Sequence, residues 1–193
     1  MVEASSLAAI RALSPLDGHY HGGLGLSLTP AAPRALVSLR VSEEALSPVG
    51  RALGLELPIR PKATSEANGL AALWLGPDEF LLLSETWSDE AARDLVSRIE
   101  GSGTSEQSAV DVSDRFVGMV IDGVAAQAVL SAACPRDLRL AAFPMGAASR
   151  TVLAKADILL WRRGETRFEL FCGRSFADYV WAYLVEASRA PAV

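Results

Sequence analysis

The sequence predicts an α+β fold made of two duplicated β-α-β-β-α halves with mainly antiparallel sheet. Three observations predict it. Residues 70–83 place two apolar, strand-like runs around Gly76-Pro77-Asp78. Pro presets φ there, and Gly and Asp accept unusual backbone angles, so the stretch reads as a β-hairpin. A helix pattern follows at once: Ser88 can cap, Asp89 and Glu90 suit the first turn, and Ala92, Leu95, Val96 and Ile99 form one apolar face before Gly101. The same unit then recurs, with strands at 157–161 and 167–172 around Arg163-Gly164-Glu165-Thr166 and a helix opened by Ser175. Gly76 and Gly164, Phe80 and Phe168, Ser84 and Cys172, and Leu95 and Tyr183 all share one offset of 88 residues, which marks an internal duplication.

In chain order, residues 1–34 are rich in Ala, Gly and Pro and read as an extended N-terminal arm with little apolar surface to bury. Within it His19 and His21 flank Tyr20 near Asp17, but without a third well-spaced ligand the pattern is a polar loop, not a metal site. Residues 35–41 read as a strand and 48–53 as a short helix, with Ser47 as cap, Pro48 at its first position and Gly54 as its stop. The stretch to Asn68 is a solvated loop in which Arg60 and Lys62 could hold an anion. Residues 101–106 form a flexible joint. Asp111-Val112-Ser113-Asp114-Arg115 is expected to be turn chemistry, with Asp and Ser bonding local N–H groups and Arg115 pairing with a neighbour; general-base carboxylates are the alternative. A strand at 116–121 leads to a helix at 124–133, which Pro135 ends. In the last helix Phe176, Tyr179, Val180, Tyr183 and Leu184 make an apolar stripe, Ser175 and Asp178 are placed like a capping box, and Trp181 lies off the stripe as a contact residue. The domain organisation is thus an arm over 1–34, one duplicated domain over 35–188 with halves near 35–100 and 108–188, and a tail over 189–193.

Composition narrows the function classes. A formal net charge of -5 and a pI near 5.1 supply no basic stripe for a phosphate backbone, so nucleic acid is not an expected partner. Cys134 and Cys172 are the two cysteines and lack metal-ligand spacing, so buried reduced thiols and the cytoplasm are expected. No apolar run approaches the ~18 residues that span a bilayer, and Glu3 stands where a signal segment would be basic. Dinucleotide glycine fingerprint, phosphate loop, Gly-x-Ser-x-Gly elbow and paired-His metal motif are all absent. Taken alone, the residues point to a binding or structural module with no catalytic or metal residue.

An ordered series of motifs adds a family. Residues 52–58 (Ala-Leu-Gly-Leu-Glu-Leu-Pro), residues 73–82 with Trp74-Leu75-Gly76-Pro77-Asp78-Glu79, Asp111-Val112-Ser113, Gly123, Cys134-Pro135-Arg136-Asp137-Leu138, Arg150-Thr151 and Arg174-Ser175-Phe176-Ala177 resemble the gamma subunits of heterotetrameric sarcosine oxidases, over about 13–184. Phe80 stands where much of that family carries Trp. More distantly the chain resembles the folate-binding domain of glycine-cleavage aminomethyltransferases. Their Asn-x-x-Gly-Gly-x-x-Asp-Asp-Leu segment corresponds to residues 152–159, which keep Asp157 but lack the glycines.

The resemblance implies a non-catalytic component of a complex that demethylates sarcosine to glycine, passing the one-carbon unit to tetrahydrofolate or releasing formaldehyde and reducing oxygen to hydrogen peroxide. It implies no cofactor in this chain; FAD, FMN, NAD and tetrahydrofolate would belong to the alpha and beta subunits and zinc to the delta subunit. The alternative is a free-standing folate-binding or one-carbon-transfer protein, with Asp157 as its carboxylate and Arg60 or Arg115 holding the glutamate tail. The first reading predicts a stable assembly, and the second predicts saturable binding of a reduced folate by the isolated chain.

Overall fold

The strands sort into two sheets, each with one face toward helices and one toward the other sheet, so the central strands are near-continuous apolar runs buried on both faces. The computed structural model describes residues 14–23, 25–85 and 88–189. In chain order these give β1 (His21–Gly23), β2 (Leu26–Pro30), β3 (Leu36–Val41), α1 (Leu46–Leu53), β4 (Thr64–Ala67), β5 (Leu70–Gly76), β6 (Glu79–Ser84), α2 (Asp89–Glu100), β7 (Gln107–Asp111), β8 (Phe116–Asp122), α3 (Ala126–Ser131), β9 (Ala148–Leu153), β10 (Ala156–Arg162), β11 (Arg167–Gly173) and α4 (Ala177–Ala187). One sheet is ordered β4-β5-β6-β3-β7 and the other β1-β2-β8-β11-β10-β9. Every ladder among the described residues is antiparallel.

The duplication is visible in these orders. The run β4-β5-β6-β3 in one sheet recurs as β9-β10-β11-β8 in the other. The next position in each sheet is filled crosswise. The segment before β8, strand β7, pairs with β3 (Val37 opposite Asp111), and the segment before β3, strand β2, pairs with β8 (Leu28 opposite Ile121). Within the expected extended arm, His21–Gly23 and Leu26–Pro30 are strands that lie on the chain's own sheet, where Leu26 and Leu28 alternate inward and are buried. Residues 1–13 of that expected arm and 190–193 of the expected tail lie outside the described residues. The solvated loop expected up to Asn68 also differs, because Thr64–Ala67 pairs with β5 as strand β4.

Two close approaches flank β2 where it lies on β8. Ala31 N–H donates to the Gly118 carbonyl at 2.9 Å, and a Cβ added at Gly118 would lie 2.8 Å from the Ala31 Cβ. A Cβ at Gly123, whose φ is +126°, would lie 2.1 Å from the Gly25 carbonyl oxygen. Only glycine fits there.

Three apolar clusters give a helix, sheet, sheet, helix layering. Val49 and Leu53 of α1 and Leu95 and Ile99 of α2 pack on Val37, Leu39 and Leu82. Leu130 of α3 and Val180 and Leu184 of α4 pack on Met119, Leu160 and Leu170. Between the sheets lie Leu36, Leu73, Leu81, Leu83, Leu159, Trp161 and Phe171. Each fully buried large side chain contributes about 1.5–3 kcal/mol of burial. Ties across the sheets supplement this layer: Ala148 N–H donates to the Lys62 carbonyl at 2.9 Å, Thr64 Oγ1 donates to the Gly146 carbonyl at 2.6 Å, and Arg163 pairs with Glu66 at 2.9 Å.

The helix ends match the expectations in part. Ser88 caps α2, accepting from Ala91 N–H at 3.0 Å, and Gly54 ends α1 at φ 65°. Ser47 does not cap α1, because the chain enters that helix through a turn over residues 43–45 and Ser42 Oγ accepts from Ala45 N–H instead, at 3.3 Å. The helix expected over 124–133 is confined to α3, with Val124 exposed. The stripe of α4 is Ala177, Val180, Trp181 and Leu184, and Phe176 and Tyr179 are exposed. Residues Arg174–Phe176 form a 3-10 turn, so the helix starts later than expected and Ser175 makes no cap bond. Trp181 is covered by the chain's own hairpin: His19 stands edge-on to its ring at 5.1 Å between centroids. His21 Nε2 lies 2.8 Å from Ser188 Oγ, whose proton goes to the Val185 carbonyl, so that ring nitrogen is the donor. Both imidazoles thus hold β1 onto α4.

Candidate functional site

The loop over 111–115 was expected to be turn chemistry, and its hydrogen bonds are of that kind. Asp111 Oδ1 accepts from Ser113 N–H at 2.9 Å and from Ser113 Oγ at 2.6 Å. Ser113 Oγ in turn accepts from Leu36 N–H at 2.9 Å. The Asp111 carboxylate is committed to the loop, which fixes the entry to β8 and sets Phe116 between the two sheets. Arg115, expected to pair with a neighbour, lies over the Phe116 ring at 5.5 Å.

Around Phe116 three cavities meet. One, of about 290 Å³, is bounded by Ala31, Arg34, Leu36, Gly118 and Phe171. A second, of about 780 Å³, is bounded by Lys155, Asp157, Arg174 and Phe176. A third, of about 520 Å³, runs between the sheets past Leu75, Leu81, Val112 and Leu159. Phe116 lines all three, and Arg115 and Asp157 line the second and third. The result is one open groove with an apolar floor and charged walls.

One end of the groove is closed by an ion network that spans the sheets. Arg150 Nη1 donates to Glu79 Oε2 at 2.8 Å, and its Nη2 donates to Oε1 of the same carboxylate. Arg40 adds contacts to Asp78 at 3.0 Å and to Glu79 at 3.5 Å. The hydrogen bond from Arg150 holds the Glu79 carboxyl below its usual range, helped by the charges of Arg150 and Arg40 and opposed by burial. At the β9–β10 turn Ala154 takes a positive φ of 51°, a conformation costing an Ala about 1 kcal/mol. That turn presents Lys155 and Asp157 to the groove.

Of the residues singled out for folate, the structure brings Asp157 and Arg115 together on the groove wall, both exposed. Arg60 is exposed on the loop before β4 and lines none of the three cavities. Lys62 is engaged elsewhere, its Nζ donating to the Ala142 carbonyl at 2.8 Å. Sequence reasoning passed over Phe116, which reads as an ordinary strand residue, and the Glu79–Arg150 pair. The signal available for the latter was that both residues sit inside family-like motifs.

No group of three or more His, Cys, Asp or Glu side chains among the described residues is arranged to hold a metal. Both cysteines are buried and unpaired with each other; burial pushes the Cys172 thiol up to about 11, and Cys134 Sγ lies 3.7 Å from Thr151 Oγ1. No helix among the described residues is long and apolar enough to cross a membrane. The groove thus combines an apolar floor with side chains of both charges, Arg115 and Lys155 beside Asp114 and Asp157.

Comparison with known proteins gives the same answer at three levels. The family model for the gamma subunit of sarcosine oxidase matches residues 42–190. The sarcosine oxidase gamma subunit of Corynebacterium sp. strain U-96 is 31% identical over 188 residues, 96% of this chain and 84% of that one. That of an Arthrobacter species is 35% identical over 137 residues, 70% and 66% of the two chains. Among solved structures, the heterotetrameric sarcosine oxidase from Corynebacterium sp. U-96 in complex with pyrrole 2-carboxylate matches with a TM-score of 0.79 at 30% identity, over 87% of both chains. The glycine cleavage system aminomethyltransferase T from Bartonella henselae matches with a TM-score of 0.62 at 21% identity, over 86% of this chain and 46% of that one, a likeness of fold alone. By family match, identity and fold together, this chain belongs to the sarcosine oxidase gamma subunit family.

Proposed function

We propose that the chain is the non-catalytic gamma subunit of a heterotetrameric sarcosine oxidase, which demethylates sarcosine to glycine, and that it acts in assembly and structural support. The observation that carries this reading is the match to the heterotetrameric enzyme of Corynebacterium sp. U-96 over 87% of both chains. The partners are the alpha, beta and delta subunits. FAD, FMN, NAD and tetrahydrofolate sit in the large subunits and zinc in the smallest, and the complex works in the cytoplasm, where buried free thiols stay reduced.

Isolation of the tagged chain under gentle conditions from its native cells tests this. A yellow complex containing two larger flavin-associated chains and one smaller one, weighed by native mass spectrometry, is the expected result. A colourless lone chain overturns the reading.

The N-terminal segment takes part in docking in this proposal, and the sheet dictates how to test it. Deleting residues 1–30 would remove β1 and β2 and uncover the edge of β8, unfolding the domain instead of probing an interface. Deletion of residues 1–13 leaves every described strand in place. It is expected to weaken assembly while the melting temperature of the isolated chain stays within about 2 °C, less than 1 kcal/mol at this size. Unchanged assembly counts against docking by that segment.

A further inference from the structure

We propose that the outer edge of β7 receives an extended segment of a partner subunit, which joins the five-stranded sheet as its sixth strand. This rests on the subunit reading above and adds to it a location and a mode of contact. Three features of β7 carry it.

The first is the inequality of the twin sheets. In one, the run β9-β10-β11-β8-β2 continues to β1; in the other, the matching run β4-β5-β6-β3-β7 stops at β7. The edge of β2 is covered by the chain itself, with His21 opposite Leu28 and Gly23 opposite Leu26. Among the described residues no strand takes the matching place beside β7.

The second is the backbone. Alternate residues of an antiparallel strand turn their N–H and C=O groups toward the neighbouring strand and away from it. Ser42 N–H donates to the Glu106 carbonyl at 3.1 Å and Val112 N–H to the Leu36 carbonyl at 2.8 Å. In the register that sets Val37 opposite Asp111 and Val41 opposite Gln107, Ser108 and Val110 bond to β3, and Gln107, Ala109 and Asp111 turn their backbone groups outward. No described residue bonds those outward groups. A row of this kind is satisfied by another extended backbone. The remaining edges offer less. On β9 the Ala148 N–H is taken by the Lys62 carbonyl at 2.9 Å and the Arg150 carbonyl accepts from Arg136 Nη2 at 3.4 Å. Strands β4 and β1 are four and three residues long.

The third is the side chains. Solitary edges are commonly guarded by lysine, proline or a bulge. Strand β7 reads Gln-Ser-Ala-Val-Asp over an unbroken register, and Val110 is 54% exposed. The incoming segment therefore has free N–H groups on alternate residues and an apolar side chain to lie beside Val110. A second copy of this chain is the weaker candidate, because it sets two chains of formal net charge -5 edge to edge, each with Asp111 on the paired strand.

Amide hydrogen exchange at single-residue resolution tests the proposal, on the full-length chain alone and in complex with the remaining subunits. Alone, the amides of Gln107, Ala109 and Asp111 are expected to exchange freely while those of Ser108 and Val110 are protected. In the complex the three outward amides are expected to slow by about a hundredfold or more. Ala109→Pro removes an outward donor without touching the bonds to β3, and Val110→Lys changes an exposed side chain to an edge guard. Both are expected to bind the other subunits at least about tenfold more weakly, with circular dichroism and melting temperature close to wild type. Val152→Lys, on the exposed side of β9, is expected to bind as wild type does, and equal weakening by it removes the assignment to β7.

If wild type binds the other subunits, the outward amides stay unprotected and both β7 variants bind as well, the edge is not the seat and the subunit reading stands. If wild type binds none of them, both proposals fall. Outward amides already protected in the chain alone also overturn the assignment. Protection that rises with concentration gives the edge to a second copy, and protection lost on deleting residues 1–13 gives it to that segment.

Discussion

Gly123→Ala is expected to lower the stability of the isolated chain by about 3 kcal/mol or more, a drop of roughly 6–12 °C in melting temperature. Two costs combine. Gly123 sits at a φ of +126°, which an L side chain rarely adopts, and its Cβ would lie 2.1 Å from the Gly25 carbonyl oxygen and 3.0 Å from the Leu26 Cα. That oxygen cannot simply retreat, because it accepts from Ala125 N–H at 3.2 Å. The strand start at Leu26 must therefore move, and with it the ladder from β2 to β8. Gly103→Ala separates the costs: its φ is +83°, but nothing lies within 4 Å of the added Cβ. It is expected to cost about 1 kcal/mol from backbone conformation alone. Equal losses for the two variants would sink the explanation. Faster amide exchange confined at first to β1 and β2 in Gly123→Ala would support it.

Arg34→Ala has the second large effect, and it depends on pH. Arg34 leaves the crossing between β2 and β3 and reaches Glu169 on β11, its Nη1 lying 3.1 Å from Oε1 and 3.2 Å from Oε2. Glu169 is 2% exposed. Burial raises its pKa from the ordinary value of 4.5, while the charges of Arg34, Arg163 and Arg167 and the hydrogen bond from Arg34 pull it down. Because the folded value lies above the unfolded one, the contribution of this acid to stability is complete below about pH 4.5 and is lost as pH rises through the folded value. Removing Arg34 takes away its part of the opposing pull, so the folded value climbs further and the loss above it grows. At neutral pH the variant is expected to lose about 3 kcal/mol, the cost of leaving one member of a buried pair alone. Below pH 4.5 the deficit should shrink to the lost packing of the Arg34 stem. Adding Glu169→Gln to Arg34→Ala should restore most of the neutral-pH loss. A deficit of constant size across the acid range would rule out the charge as its cause.

How much of this could be read from residues alone depended on whether the determining contact was local. The hairpins at Gly76-Pro77-Asp78 and Gly164 and the cap at Ser88 are local chemistry, and each lies where the pattern put it. Strand β4 was missed because Thr-Ser-Glu-Ala carries no apolar period, and it pairs only because β5 offers it an edge. In α4, large apolar residues occur on several sides, so the period did not choose a stripe. The choice is made by the N-terminal hairpin, whose His19 covers Trp181 and leaves Phe176 and Tyr179 outside. The groove was illegible for a related reason. Its walls come from segments far apart in sequence, so Arg115 and Asp157 could be picked out as candidates, but nothing in their spacing showed that they share a wall while Arg60 stands apart.

The crosswise placement of β2 and β7 has a consequence for what counts as a unit here. The joint over 101–106 connects two stretches that look like successive modules, yet each carries a strand whose ladder lies in the other. Neither stretch closes its own sheet. Their association is mutual complementation, and covalent continuity at the joint adds only proximity. A nick in the joint is therefore expected to cost less than the loss of either piece, which leaves the other with a bare edge. The ancestral duplication has become a heterodimer within one chain.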